Sequence, residues 1–250
     1  MQTQPPTRMA EIDCLRGIAI LLMIAYHVAF DLNYLGIQAM PLDQTPLMLL
    51  QRITVFIFVF VAGIALSLSY SRSAALPFYA LLKKQLKRTA FLGTVAAAIT
   101  IATLIWPGDG FIAFGIIHFL AVATILSLAF KNLSPKTQFA LAAIIAVTGL
   151  AANQTIVQTP FLFWLGLPFP SFHSLDYFPI LPWFSIILVG MATGTLLYPH
   201  RQPRFALPSC AITAAPAAFL QLLGRNSLVI YLAHQPIIIG LLLVATTPFL

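Results

Sequence analysis

The stretch Asp13-Cys-Leu-Arg16-Gly-Ile-Ala-Ile-Leu-Leu-Met-Ile-Ala-Tyr-His27-Val-Ala-Phe-Asp31 decides how the rest of the chain is read. It lies in an apolar run, 14–35, long enough to cross a bilayer as a helix. On a helix, Arg16 and His27 stand about three turns apart and emerge on nearly the same face, roughly 16 Å from each other along the axis. Asp31 follows His27 by about one turn, and Asp13 precedes Arg16 by slightly less. One stripe of one apolar helix therefore carries four ionisable side chains. Charge is costly in a bilayer, so such groups face a protein interior or a wet cavity and mark function. Acidic Glu11 and Asp13 abut the run, and no small-residue cleavage site follows it. The segment is expected to stay in place as a membrane helix and not to act as a cleaved signal.

Composition agrees with this reading along the whole chain. Of 250 residues, 60% are hydrophobic and 8% charged, which excludes an ordinary soluble domain. Apolar runs of spanning length fall at 14–35, 50–70, 89–106, 111–130, 137–153, 178–198 and 226–247. The expected fold is all-α: a polytopic membrane helical bundle of about seven transmembrane helices, forming a single domain over 1–250. Residues 75–88 read as an amphipathic surface helix feeding the third span, and 216–224 as a short interfacial helix before the last. The connection 154–177, rich in Pro, Phe and Trp, suits the membrane surface or a lid over a cavity. Gly17, Gly63 and Gly190 are placed to let helices approach closely. Cys14 and Cys210 have neither a disulfide framework nor a metal spacing around them.

The net charge of +7 sits in short loops, where it sets topology and does not point to nucleic acid. Arg8, the second connection (Arg72, Lys83, Lys84, Lys87, Arg88), the fourth (Lys131, Lys136) and the sixth (Arg201, Arg204, Arg225) are basic. The alternate connections carry Asp43, Asp109 and Asp176. This positive-inside pattern places the N-terminus in the cytoplasm. Arg16 then lies near the cytoplasmic end of the first helix, His27 past its middle and Asp31 nearer the outer side.

Histidine is the commonest general base, and a carboxylate four residues on is placed to orient its ring. Arg16 offers a fixed cation with a planar fork suited to phosphate. The plain alternative pairs Arg16 with Asp13 at the interface and gives His27 a hydrogen bond to a neighbouring helix. His118, among Phe114, Ile116, Ile117 and Phe119, reads either as a structural histidine or as a second functional one. Asn226, Ser227, Tyr231, His234 and Gln235 share a broad face of the last span, where interhelical hydrogen bonding is the competing explanation. Lys83, Lys84, Lys87 and Arg88 suit topology and anionic lipid, or a collar for phosphates. His173 and Asp176 read as a solvated loop or as the rim of an entrance, and His200 as interfacial. No Walker loop, zinc spacing or nucleophile elbow is present, and no metal is expected.

Three stretches together resemble a known group. Glu11-Ile-Asp13-Cys-Leu-Arg16 through His27 to Asp31-Leu-Asn33 resembles the opening helix of the transmembrane acyltransferases. It is similar in particular to bacterial members of the heparan-alpha-glucosaminide N-acetyltransferase catalytic-domain family. The arginine and histidine of that helix are also spaced as in acyltransferase family 3 proteins. Phe114-Gly-Ile-Ile-His118-Phe and Leu223-Gly-Arg225-Asn226-Ser227-Leu-Val-Ile-Tyr231-Leu-Ala-His234-Gln235-Pro236 extend the resemblance over most of the chain.

The resemblance implies an acyltransferase of a bacterial inner membrane. It would move an acyl group, acetyl in the first instance, from cytosolic acetyl-CoA to a sugar or glycolipid at the outer face. His27, Asp31, His118 and Asn226 would be catalytic: His27 as general base or transient acyl carrier, Asp31 orienting it, His118 or Asn226 donating to the oxyanion. Arg16, Asp13, Arg225 and His234 would hold acyl-CoA. Membrane lipid is the further expected partner, nucleic acid is not, and a homo-oligomer stays open. The alternative from another class is a proton-coupled transporter using the Asp-His column, against which no repeated halves are visible. A membrane scaffold that binds no CoA is a third.

Overall fold

A computed structural model describes residues 9–199, 202–204 and 214–246. Arg8, His200, Arg201 and Cys210 lie outside the described residues. The helices are α1 (Ala10–Tyr34), α2 (Thr45–Arg72), α3 (Phe78–Ile105), α4 (Ile116–Leu126), α5 (Pro135–Ala152), α6 (Ile180–Leu197), α7 (Ala215–Arg225) and α8 (Ser227–Thr246). Among the described residues there is no strand, only an isolated bridge between Phe114 and Tyr177. Six helices have the length and apolarity of a membrane span: α1, α2, α3, α5, α6 and α8. The run 116–129 forms a shorter apolar helix. The chain is therefore a polytopic helical membrane protein.

Two expectations change in detail. The run 111–130 is helical only from Ile116, because residues 111–115 are held in non-helical form. Thr103 Oγ1 accepts the Ile112 N–H at 3.0 Å, and the Phe114 carbonyl accepts the Phe178 N–H at 2.9 Å. The basic segment 75–88 is not a separate surface helix. It runs unbroken into the third span as α3, since nothing between Phe78 and Leu92 interrupts a helix. The short helix before the last span does form, as α7, with Pro216 in its first turn, a position that tolerates the missing N–H.

Contacts divide the chain into two units, Met1–Val61 with Ala206–Leu250, and Ala62–Phe205. In the first, α7 and α8 both pack on α1. In the second, α5 packs on α6 and α3 on α4. There Gly63 of α2 approaches the Ile187 carbonyl and the Gly190 Cα of α6 so closely that a Cβ would collide with backbone. This is the small-residue packing that membrane helices use. Hydroxyls tie the helices of this unit together: Tyr70 and Ser127 share a hydrogen bond of 2.6 Å, and Thr89 donates to the Ala121 carbonyl at 3.2 Å.

The connection 154–177 is ordered by aromatic packing. Phe172 lies against Phe163, Phe169 and Tyr177, with ring centres 5.4, 5.2 and 4.8 Å away, and the Tyr177 hydroxyl donates to the Phe163 carbonyl at 2.6 Å. Asp176 is not a solvated loop residue. Its carboxylate accepts the Ile116 N–H at 3.0 Å, at the start of α4. Gly115 makes room for it, since a Cβ there would strike the carboxylate. Burial of that carboxyl pushes its pKa up to about 6, against the opposing pull of the Ile116 N–H.

Candidate functional site

The first unit carries a polar column along α1, built in two layers. The lower layer centres on Asp13, which is buried. Its Oδ1 lies 3.4 Å from Arg16 Nη1 and its Oδ2 3.5 Å from Arg225 Nε. Arg225 also donates to Gln221 Oε1 at 3.1 Å. The chain reaches this arrangement because α1 and α7 touch backbone to backbone. A Cβ on Gly224 would strike the Asp13 carbonyl, and one on Gly17 would strike that of Leu220. One carboxylate thus holds two guanidinium groups at one end of the helix, near the end of α7. Arg225 remains substantially exposed, with 46% of its side chain accessible.

The upper layer lies in the seam between α1 and α8. The His27 and His234 rings meet edge to face with centres 4.7 Å apart, and Tyr231 packs on His234 at 5.5 Å and on Phe58 at 6.3 Å. One helical turn along, Gln235 Nε2 donates to Asp31 Oδ1 at 3.2 Å. His234 Nδ1 lies within hydrogen-bonding distance of the Tyr231 carbonyl. A carbonyl only accepts, so Nδ1 carries the proton and Nε2 presents a lone pair. Four polar atoms of this layer are buried without a hydrogen-bond partner: His27 Nδ1, His234 Nε2, Asp31 Oδ2 and Gln235 Oε1. Each such atom costs about 1–3 kcal/mol if it stays unmet. Four in one seam mark it as the polar interior of this unit.

The expected site residues are distributed unequally. Asp13, Arg16, His27, Asp31, Arg225 and His234 all fall in this column. The expectation that Asp31 orients His27 is corrected: its hydrogen-bonded partner is Gln235 of α8. Residues four apart on a helix project side by side toward the neighbouring helix, so each finds its partner there. Asn226 is exposed at the junction of α7 and α8, and its Nδ2 donates to the Leu222 carbonyl at 2.9 Å. That amide caps its own helix and is not held for an oxyanion. His118 belongs to the second unit. Its Nδ1 accepts the Gly115 N–H at 3.2 Å and its Nε2 lies 3.1 Å from Thr100 Oγ1, so both nitrogens are engaged at the start of α4. Of the basic collar, Lys84 donates to Ser73 Oγ at 2.7 Å. Among the described residues, no three His, Cys, Asp or Glu side chains are placed to hold a metal ion.

Gln235 makes the interhelical hydrogen bond that its place on the polar face of the last span suggested. Sequence reasoning missed Gln221, a glutamine one turn before Arg225, and that adjacency is the signal that could have found it.

Residues 8–236 match the family model described as "Heparan-alpha-glucosaminide N-acetyltransferase, catalytic". No curated protein and no solved structure matches the chain. The matched region runs from the residue before the described chain begins, through both layers of the column, to the residue after Gln235. The chain therefore belongs to the heparan-alpha-glucosaminide N-acetyltransferase catalytic-domain family, a family of membrane acetyltransferases.

Proposed function

We propose that the chain moves an acetyl group from cytosolic acetyl-CoA to an amine or hydroxyl of a sugar or glycolipid at the opposite face of a bacterial cytoplasmic membrane. The observation that carries this reading is the division of the α1 column. Guanidinium groups gather around Asp13 at one end, and histidines with unmet nitrogens lie about 16 Å beyond Arg16 along the helix. The guanidinium end suits the phosphates of CoA. Arg225 is the better exposed of the two and meets them first, while Asp13 keeps both forks aimed.

At the histidine end, the acceptor N–H or O–H attacks the thioester carbonyl while His27 takes its proton. The tetrahedral intermediate then collapses, the C–S bond breaks, and the departing sulfur recovers the proton from His27 as CoA thiol. His234, with its Nδ1 proton committed to the Tyr231 carbonyl, turns a lone pair to the same seam. It is placed to hold the acceptor's second N–H or O–H.

The direction of the helices supports a membrane-crossing path. Asp13 meets Arg225, His27 meets His234 and Asp31 meets Gln235, so α8 runs the same way as α1. Two helices that cross a membrane in the same direction need an odd number of crossings between them. Among the described residues α2, α3, α5 and α6 have the length of four crossings, and the shorter apolar helix 116–129 is the candidate for a fifth. A seven-span arrangement of this kind puts the basic loops, and with them the Asp13 end of α1, on the cytoplasmic side.

The test is acetyl-CoA binding by the purified protein in detergent, with Arg16→Ala, Arg225→Ala and His27→Ala beside wild type. Acetyl-CoA should bind wild type, bind the arginine variants at least about tenfold more weakly, and bind His27→Ala normally. Absence of binding by wild type would sink the proposal. Binding that ignores both arginines would move the phosphate site elsewhere.

A further inference from the structure

A second polar site lies wholly inside the Ala62–Phe205 unit. A cavity of about 390 Å³ opens where the end of α2, the start of α3, the start of α5 and α6 meet. That volume is within the range of small-ligand sites. No carboxylate lines it; its wall includes Ser67, Ser73, Lys131 and Gln138, with Leu76 and Phe78 at the rim. In a chain this apolar, so polar a wall needs a reason.

The wall offers donors and, at Gln138, a buried acceptor with no partner. Lys131 spends one N–H on Asn132 Oδ1 at 2.8 Å and keeps two. Ser73, which is buried, accepts from the Lys84 ammonium at 2.7 Å, so its own O–H is left to donate. Gln138 is 2% exposed. Its Nε2 donates to the Phe130 carbonyl at 2.9 Å, while its Oε1 is buried with no partner. An ammonium beside hydroxyl donors recognises an anionic oxygen. A buried amide oxygen with nothing donating to it calls for a ligand hydroxyl. The rim is apolar and accessible, with Leu76 at 45% and Phe78 at 64% exposure. Acyl chains can lie there without being taken from the bilayer.

We propose that this cavity binds the headgroup of an anionic phospholipid that carries a free hydroxyl, the glycerol phosphodiester class. The phosphate faces Lys131 and Ser73, and the headgroup hydroxyl donates to Gln138 Oε1. The exposed rim separates a lipid source from a soluble glycerol phosphate with the same headgroup chemistry. This inference does not rest on the acetyl-transfer reading.

The experiment measures binding to the delipidated full chain in detergent. Its probes are short-chain phosphatidylglycerol, phosphatidic acid and phosphatidylcholine with identical acyl chains, and free glycerol phosphate. Phosphatidylglycerol should bind wild type at least about tenfold more tightly than phosphatidylcholine or free glycerol phosphate. Lys131→Gln should cost about tenfold or more for phosphatidylglycerol, and Lys131→Arg should restore most of it. Gln138→Leu should weaken phosphatidylglycerol while sparing phosphatidic acid. Lys136→Gln, which removes a charge from outside the cavity, should bind as wild type does. Equal binding of phosphatidylcholine overturns anion recognition, and equal binding of free glycerol phosphate overturns the lipid source. Unchanged binding in both Lys131→Gln and Gln138→Leu overturns the site. None of these readouts involves acetyl transfer, so failure here and failure of that reading are told apart.

Discussion

His27 and His118 are both histidines in apolar helices, and their surroundings differ. His118 has both ring nitrogens engaged, one by the Gly115 N–H and the other by the Thr100 hydroxyl. Thr100 in turn donates to the Ile112 carbonyl at 2.7 Å. That ring closes a local circuit that starts α4 where the sequence alone would have carried a helix further back. His27 has its Nδ1 buried and unmet, beside a second histidine whose Nε2 is also unmet. A satisfied buried histidine stabilises; an unsatisfied one costs free energy in the empty protein and regains it when a ligand arrives. The difference teaches that two histidines in apolar helices are told apart by how completely their ring nitrogens are partnered, more than by burial or residue type.

The sharpest way to break the comparison is to truncate both. His27→Ala should lower acetyl transfer by at least about 100-fold, the usual contribution of a positioned general base, with little loss of thermal stability. His118→Ala should do the reverse. It strands two donors or acceptors at the α4 start and should cost about 1–3 kcal/mol. The thermal midpoint should fall by roughly 2–4 °C for each of those. Turnover measured well below that midpoint should stay within about twofold of wild type. A His118→Ala protein that folds as wild type does but does not turn over would erase the distinction.

The second way uses acid. Asp176 completes the α4 start on the other side of His118, and its carboxyl is pushed up to about 6 from 3.8. A carboxyl raised in the folded state favours folding when protonated. The contribution is complete below about pH 4 and is lost as pH rises through about 6. The shift corresponds to a contribution on the order of 2–3 kcal/mol. Asp176→Asn keeps an oxygen for the Ile116 N–H and removes the titration. Across pH 4 to 7, wild type should therefore lose stability relative to Asp176→Asn, measured as the difference in unfolding midpoints. A flat difference would mean that the carboxyl is solvated in both states.

Much of the fold was legible because membrane spans advertise themselves by length and apolarity. All seven apolar runs correspond to helices, and α7 was visible as a short interfacial helix before the last span. What escaped was tertiary. The start of α4 is set by Thr103, Phe178 and Asp176, which come from other elements and leave no trace in the run 111–130. The α1 stripe was legible as a set of ionisable residues, since charge is costly in an apolar helix and stands out there. Their partners were not legible. Asp31 looked like His27's orienter because the two are neighbours in sequence, yet parallel projection from one helix sends both to α8. Asn226 looked like a donor to chemistry because of its place in a motif, but at the end of α7 its amide donates to the Leu222 carbonyl, which its own backbone N–H also reaches.

The least conspicuous partner therefore gives the finest test of the upper layer. Gln235 donates to Asp31 Oδ1 and has no other described hydrogen bond from its side chain. If it holds Asp31 in the seam where the acceptor must bind, Gln235→Leu should lower kcat by about three- to tenfold, the worth of one ordinary hydrogen bond, with KM for acetyl-CoA unchanged. Loss of packing alone would lower stability and leave kcat in place. A double-mutant cycle separates the two. Asp31→Asn keeps an acceptor for the Gln235 amide, so its effect on kcat reports the charge. Asp31→Ala removes the acceptor, and Gln235→Leu added to it should then cost nothing further. Full additivity in that pair would show that Gln235 acts on catalysis through some route other than Asp31. The α1–α8 seam would then be two independent contacts, and the contrast with the closed circuit around His118 would rest on His27 and His234 alone.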